Sequence, residues 1–187
     1  MIEVTCRGRV VVLTLARPPV NAIDDAMIAT IQAELCKLES RDDWQVLQIR
    51  SAQKAFAAGA DLDLLRSWKN APSPSAALSG YIQRLQSLYF RLERLPQVTI
   101  CEIGGAAMGG GYELALSCDI RVAAEEAKIG LPEVGIGLLP GAGGTQRLTR
   151  LVGRGTASRV ILGADAVDGR TALALGMVDV AVPREQL

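Results

Sequence analysis

The run Ala106-Ala107-Met108-Gly109-Gly110-Gly111-Tyr112-Glu113 constrains this chain more than any other stretch. It follows Val98-Thr99-Ile100-Cys101-Glu102-Ile103, whose length and β-branched content read as a buried strand. Gly104 and Gly105 end that strand, and three more glycines open a segment, Tyr112 to Cys118, that reads as a buried helix. The first N–H groups of a helix have no intrahelical partner and carry the positive end of its dipole. Glycine there lets an incoming group reach the backbone, because no Cβ stands in the way. Glu113, three residues past Gly110, lies about one turn further along on the same side. An N–H donor for developing negative charge thus sits beside a carboxylate. This suits carbonyl chemistry better than phosphate binding, where the carboxylate would repel the ligand. A glycine turn used only for packing is the competing reading.

The remaining chain alternates strand and helix. Ile2 to Cys6 and Val10 to Leu15 read as a hairpin around Arg7-Gly8-Arg9, and Arg17-Pro18-Pro19 stops the second strand. A helix from about Asp24 to Ser40 has Asp24 or Asp25 as its N-cap and Ile28, Ile31, Leu35 and Leu38 on one face. Val46 to Ile49 is a strand, Ala55 to Asp61 a small-residue loop, and Leu62 to Trp68 a short helix. Asn70 to Ala76, with Pro72 and Pro74, reads as the most flexible piece. A longer helix, Ala77 to Leu95, carries the stripe Leu78, Ile82, Leu85, Tyr89 and Leu92. Beyond the glycine run come a strand at Ile120 to Ala123, a turn at Leu131 to Glu133 and a second glycine-rich loop from Gly135 to Gly144. Helices are expected at Thr145 to Leu151, Thr156 to Leu162 and Asp168 to Leu175, then a strand at Met177 to Val182. Pro183-Arg184-Glu185 reads as the first turn of a further helix. The class is α/β, and the expected organisation is a single domain over residues 1–187.

Composition removes several function classes. The chain has no histidine, which excludes Ser-His-Asp and Cys-His nucleophile systems and leaves carboxylate, lysine, tyrosine or cysteine as acid or base. Twenty basic residues balance 20 acidic ones, so no electrostatic footprint for nucleic acid or an anionic membrane is present. The four cysteines, Cys6, Cys36, Cys101 and Cys118, lie in apolar segments without a CxxC pair. They read as buried reduced thiols, and the expected compartment is cytoplasmic. Gly135-x-Gly137-x-x-Pro140 fails the dinucleotide pattern at its third glycine.

Three segments in register resemble one family. They are Ala55-Phe56-Ala57-Ala58-Gly59-Ala60-Asp61, Met108-Gly109-Gly110-Gly111-Tyr112-Glu113, and Leu131-Pro132-Glu133-Val134-Gly135 through Pro140-Gly141-Ala142-Gly143-Gly144-Thr145-Gln146-Arg147-Leu148. By their order and spacing the chain resembles the crotonase (enoyl-CoA hydratase/isomerase) superfamily over essentially all 187 residues. The resemblance implies a crotonase-like spiral of ββα units, truncated before the family's C-terminal helices. It also implies an acyl-CoA thioester substrate and an oxyanion hole made by the N–H groups of Ala60 and Gly110. Both catalytic carboxylates of the two-glutamate hydratases have matching glutamates, Glu113 and Glu133.

The resemblance further places coenzyme A, as part of the substrate rather than a separate cofactor, along Phe56, Ala57, Ala58, Gly59, Ala60, Asp61 and Leu62, with Gly109 on the thioester side. Arg17, Lys54 and Arg66 are candidates for its phosphates, with surface solvation the competing role. Many relatives carry a lysine where this chain has Asp63. The implied assembly is a homotrimer or hexamer. The leading expectation is a hydratase of the lyase class, in fatty acid metabolism. The alternatives are a Δ3-Δ2 enoyl-CoA isomerase, another crotonase lyase, or a non-catalytic CoA-binding or structural module.

Overall fold

The computed structural model describes residues 1–68 and 72–187. Strand β1 (Ile2–Arg7) pairs antiparallel with β2 (Val10–Leu15), Ile2 opposite Leu15 and Arg7 opposite Val10, as the Arg7-Gly8-Arg9 turn demands. From β2 the sheet continues in parallel through β3 (Val46–Ser51), β4 (Val98–Ile103), β6 (Ile120–Ala124) and β8 (Val180–Val182). Parallel neighbours need crossovers, and helices supply them. One face of the sheet faces inward through Leu47 and Ile49 of β3 and Thr99, Cys101 and Ile103 of β4, all buried. The other face carries half-buried Gln48 and Glu102, which share a hydrogen bond. Period-2 alternation places these two sets on opposite sides.

Helix α1 (Asp25–Glu39) starts where its N-cap predicts, with Asp24 Oδ1 accepting from the Met27 N–H at 2.8 Å. It buries Met27, Ile28, Ile31, Leu35 and Leu38 against the sheet. Each of these side chains, fully buried, stabilises the fold by about 1.5–3 kcal/mol. Helix α2 (Leu62–Trp68) follows the small-residue loop.

Helix α3 (Pro74–Glu93) begins earlier than the apolar stripe suggests, because Pro74 sits at a position where its missing N–H costs nothing. Part of the segment expected to be flexible is therefore helical. Pro72 and Ser73 precede the helix in irregular backbone, and the expectation at 70–71 lies outside the described residues. The α3 stripe divides along its length. Leu85, Tyr89 and Leu92 are buried, whereas Leu78 and Ile82 are only partly covered and border an open cleft.

The glycine run forms two short elements, β5 (Ala107–Met108) and α4 (Gly110–Leu116). β5 pairs in parallel with β7 (Ile129–Gly130) in a separate two-stranded sheet, too short for any sequence period to mark. Helix α4 starts two residues before the expected Tyr112, so two glycines lie inside its first turn.

A 3-10 turn at Glu133–Ile136 replaces the expected simple turn. Helix α5 (Gly144–Gly163) covers both expected segments but is broken at Gly153, where φ 77° and ψ 160° leave the helical region. Helix α6 (Gly169–Ala174) is capped by Asp168, which accepts from the Thr171 N–H. The last strand is shorter than expected, and a single 3-10 turn at Arg184–Gln186 follows it.

The cysteine expectation needs correction. Cys101 and Cys118 are buried, but Cys6 and Cys36 are exposed. Cys6 lies on β1, an edge strand whose last three residues face solvent, and Cys36 falls between Leu35 and Leu38 off the buried stripe of α1. Apolar neighbours in sequence did not carry these two thiols inward, because burial follows the face and not the segment.

Candidate active site

A cleft of about 1010 Å³ opens between α3, the N-terminus of α4, the small-residue loop and the 3-10 turn. Its walls include Ala58, Gly59, Ala60 and Asp61 from the loop, Gly109, Gly110 and Glu113 from the glycine run, and Glu133. These segments are far apart in sequence, and the fold brings them to one place.

The loop and the helix start meet through glycine. Gly59 has φ +91°, and a methyl built on it would stand 2.7 Å from the Met108 carbonyl oxygen and 3.3 Å from the Gly110 nitrogen. No side chain fits there. A methyl on Gly110 would stand 3.8 Å from the Ala60 nitrogen, so the two nitrogens border one narrow gap. Among the described residues neither the Ala60 N–H nor the Gly110 N–H meets an acceptor within the protein. Two such donors beside one cleft can bind an oxygen that gains negative charge.

Glu113 is only 2% exposed, and its Oε1 accepts from the Gly144 N–H at 2.7 Å. Burial raises its carboxyl to about 7. Backbone donors at Gly144 and Ala142 hold it down, while the charge of Glu133 pushes it up. Glu133 reaches the cleft from the 3-10 turn and is likewise raised by burial. Its Oε2 is buried and has no partner among the described residues, and its Oε1 lies 2.8 Å from where a methyl on Gly109 would stand. Gly109 has φ +53°, so a Cβ is excluded by conformation as well as by space.

The Gly141–Gly144 loop that presents the Glu113 donor is itself tied down. Gln86 Nε2 donates to the Gly141 carbonyl at 2.7 Å, and buried Arg147 donates to the Ala142 carbonyl at 2.9 Å while pairing with Glu93.

Other expected site residues are placed differently. Phe56 and Ala57 are wholly buried and do not line the cleft, because Phe56 fills the core and the Ala57 backbone bonds to Ala106 and Met108. Leu62 opens α2, and its side chain lies outside the described residues. Arg17 borders the cleft, yet its guanidinium is engaged by Asp24, Asp61 and the Ala22 carbonyl. That pairing holds the Asp61 carboxyl below the usual carboxylate range, and Asp61 Oδ1 in turn accepts from the first N–H groups of α2. Arg66 pairs with Asp63 at the surface, and Lys54 is exposed.

Three contributors escaped the sequence reading. Asn21, fully buried at φ 50°, donates to the Phe56 carbonyl and Ser51 Oγ and so anchors the start of the loop. Tyr81 and Tyr89 donate to the Ile23 and Gly110 carbonyls, each at 2.7 Å. An asparagine after two prolines signals a turn, but nothing local tells which carbonyls its amide or a tyrosine hydroxyl will reach.

Comparison with known proteins shows the family and the fold. A family model described as enoyl-CoA hydratase/isomerase matches residues 5–187. A Bacillus subtilis protein named "Probable enoyl-CoA hydratase" is 39% identical over 176 residues, covering 94% of this chain and 67% of that protein. A short-chain-enoyl-CoA hydratase of Clostridium acetobutylicum is 36% identical, covering 96% of this chain and 68% of its own length. The crystal structure of an enoyl-CoA hydratase from Bacillus anthracis superposes with a TM-score of 0.91 at 34% identity, covering 98% of this chain and 70% of that one. Across four curated relatives the chain spans 56% to 68% of their length. A match to nearly the whole chain in both sequence and fold makes it a member of the enoyl-CoA hydratase/isomerase family of the crotonase superfamily.

Proposed function

We propose that this protein is an enoyl-CoA hydratase, a lyase that adds water across the 2,3 double bond of an enoyl-CoA thioester. The observation that carries the proposal is the lining of one cleft by two raised carboxyls, Glu113 and Glu133, beside the N–H groups of Ala60 and Gly110, which meet no acceptor among the described residues.

The thioester carbonyl oxygen sits between the two N–H groups. Water held by the carboxyl pair attacks C3, its proton passes to a carboxylate, and the double-bond electrons move onto the thioester oxygen. The enolate oxygen is then bound by Ala60 and Gly110, and a proton from the pair goes to C2. One water is consumed, and the enzyme ends in its starting protonation state. One N–H donor of this kind is worth about 3 kcal/mol in the transition state. A carboxyl near 7 suits the task, since both of its protonation states are populated at neutral pH. Coenzyme A enters as part of the substrate, and the reaction balances without a further cofactor. Leu78, Ile82 and Leu85 give the cleft an apolar wall for the acyl chain.

The test is hydration of crotonoyl-CoA by the protein and its Glu113→Gln and Glu133→Gln variants, followed through loss of the enoyl absorbance. Each substitution is expected to lower the rate by about 100- to 10,000-fold with little change in thioester binding. The double variant should be scarcely slower than the worse single one, because the two groups act as a unit. Hydration that survives Glu113→Gln sinks the two-glutamate mechanism. A severe Glu133→Gln with a mild Glu113→Gln indicates a one-base isomerase instead. Absence of turnover in the unmutated protein indicates a non-catalytic module.

A further inference from the structure

We infer that Tyr81 and Tyr89 are positioning residues for the two oxyanion donors, each tying the backbone beside one donor to the same helix, α3; the inference rests on the oxyanion role proposed for Ala60 and Gly110.

A trans peptide points its C=O and N–H in opposite directions, so a bond made by one fixes the aim of the other. The Gly109–Gly110 peptide accepts at the Gly109 carbonyl from the Glu113 N–H at 2.9 Å, which sends the Gly110 N–H out of the helix start. The preceding peptide is held by the Gly109 N–H on the Gly130 carbonyl at 2.9 Å, and the following one by the Tyr89 hydroxyl on the Gly110 carbonyl at 2.7 Å. Groups on both sides of the Gly110 nitrogen are thus bonded, and among the described residues its own N–H is left without an acceptor.

The Ala60 side repeats the arrangement. The Gly59 carbonyl accepts from the Ile23 N–H at 2.7 Å, which turns the Ala60 N–H away from Ile23. The Asp61 N–H donates back to the Ile23 carbonyl at 3.2 Å. Ile23 therefore clamps the loop on both sides of Ala60, and its carbonyl also accepts the Tyr81 hydroxyl at 2.7 Å.

Tyr81 and Tyr89 lie on one helix about two turns apart, which makes α3 a rigid bar between the two clamps. Tyr89 is wholly buried and Tyr81 nearly so, and burial holds both hydroxyls well above the ordinary tyrosine range, so they remain donors. A buried tyrosine generally finds some carbonyl, and Tyr112 shows that plain case with its hydroxyl on the Met177 carbonyl at 2.8 Å. What sets Tyr81 and Tyr89 apart is that their acceptors border the two free donors.

Tyr112 supplies the control. Tyr81→Phe, Tyr89→Phe and Tyr112→Phe are compared for kcat and KM with crotonoyl-CoA and for the absorbance of bound cinnamoyl-CoA. Polarising a thioester carbonyl conjugated to an aryl ring moves its absorption to the red, so the shift reads the oxyanion hole directly. Tyr81→Phe and Tyr89→Phe are expected to lower kcat by about 10-fold or more, with KM little changed, and to shrink the red shift. All three variants lose one buried hydrogen bond and should lower the thermal midpoint alike, but Tyr112→Phe should leave kcat and the red shift alone. The absorbance of thioester bound to the folded fraction keeps the test readable where a variant loses stability. A wild-type complex with no red shift sinks the oxyanion role and this inference with it. A wild-type shift undiminished in Tyr81→Phe and Tyr89→Phe, or reduced equally by Tyr112→Phe, overturns the inference alone.

Discussion

The Gly144 N–H donates to Glu113 Oε1 at 2.7 Å, so the start of α5 orients a carboxyl that belongs to α4. A methyl on Gly144 would stand 2.9 Å from that oxygen and 2.8 Å from Pro140 Cβ. Gly144→Ala is expected to destabilise the protein by about 1–3 kcal/mol through overpacking. It should also lower kcat for hydration, because the carboxyl must move. Urea unfolding and steady-state kinetics check both parts. An unaltered kcat would show that the position of Glu113 is not set here.

Glu113 also gives a pH signature to stability. Burial raises its carboxyl from 4.5 to about 7, so between those values the folded protein holds the proton better than the unfolded chain does. The sign follows: its contribution makes the fold less stable as pH rises through that window, by on the order of 3 kcal/mol in total. Glu113→Gln lacks this titration. The stability difference, variant minus wild type, is expected to climb from about pH 4.5 and level off above about 7. Denaturant unfolding of both proteins across that range measures it, and a difference independent of pH would contradict it.

Glycines at two turns should respond differently. Gly109 and Gly137 both have positive φ, +53° and +74°, but only Gly109 has a neighbour in the way, Glu133 Oε1 at 2.8 Å from the built methyl. Both alanine variants are strained by conformation, at a cost of about 1 kcal/mol. Gly109→Ala should in addition depress hydration by at least about 10-fold, since it displaces a carboxyl in the cleft. Gly137→Ala should leave the rate close to wild type. Equal rates for the two variants would argue against Glu133 at the reacting end of the cleft.

Ile136, Leu139 and Leu162 are 62%, 64% and 70% exposed, the first two at the rim of the cleft and the third on α5. Bare apolar surface of this kind favours association. The protein is expected to self-associate, with a trimer or hexamer as the proposed state. Light scattering over a range of concentrations tests this, and a monodisperse monomer throughout would refute it.

Asn21 is expected to matter for stability. Its amide satisfies Ser51 Oγ and the Phe56 carbonyl, and its Oδ1 accepts from the Arg17 N–H at 2.8 Å. Asn21→Ala leaves these buried groups unpaired and puts alanine at φ 50°, for a loss of about 2 kcal/mol or more. Thermal or urea unfolding would show it, and a change within about 0.5 kcal/mol would mean that water replaces the side chain.

The sequence by itself determined what depends on near neighbours. The β-branched and aliphatic runs of β2 and β3, the apolar stripe and Asp24 cap of α1, and the break at Pro18-Pro19 all act within a few residues, and the class follows from their order. The glycines at 109–111 and the carboxylate of Glu113 were legible too, because residue type limits what a backbone or side chain can do there, whereas Glu133 was marked only by the family resemblance. Tertiary structure decided which of these meet. The gap between the Ala60 and Gly110 nitrogens, the donation from Gly144 to Glu113 and the hydroxyl targets of Tyr81 and Tyr89 each join segments at least 21 residues apart. The pairing of β5 with β7 and the exposure of Cys6 and Cys36 were settled the same way. Periodicity says which side of an element is apolar. Only packing, with its demand that every buried polar group find a partner, says what that side will touch.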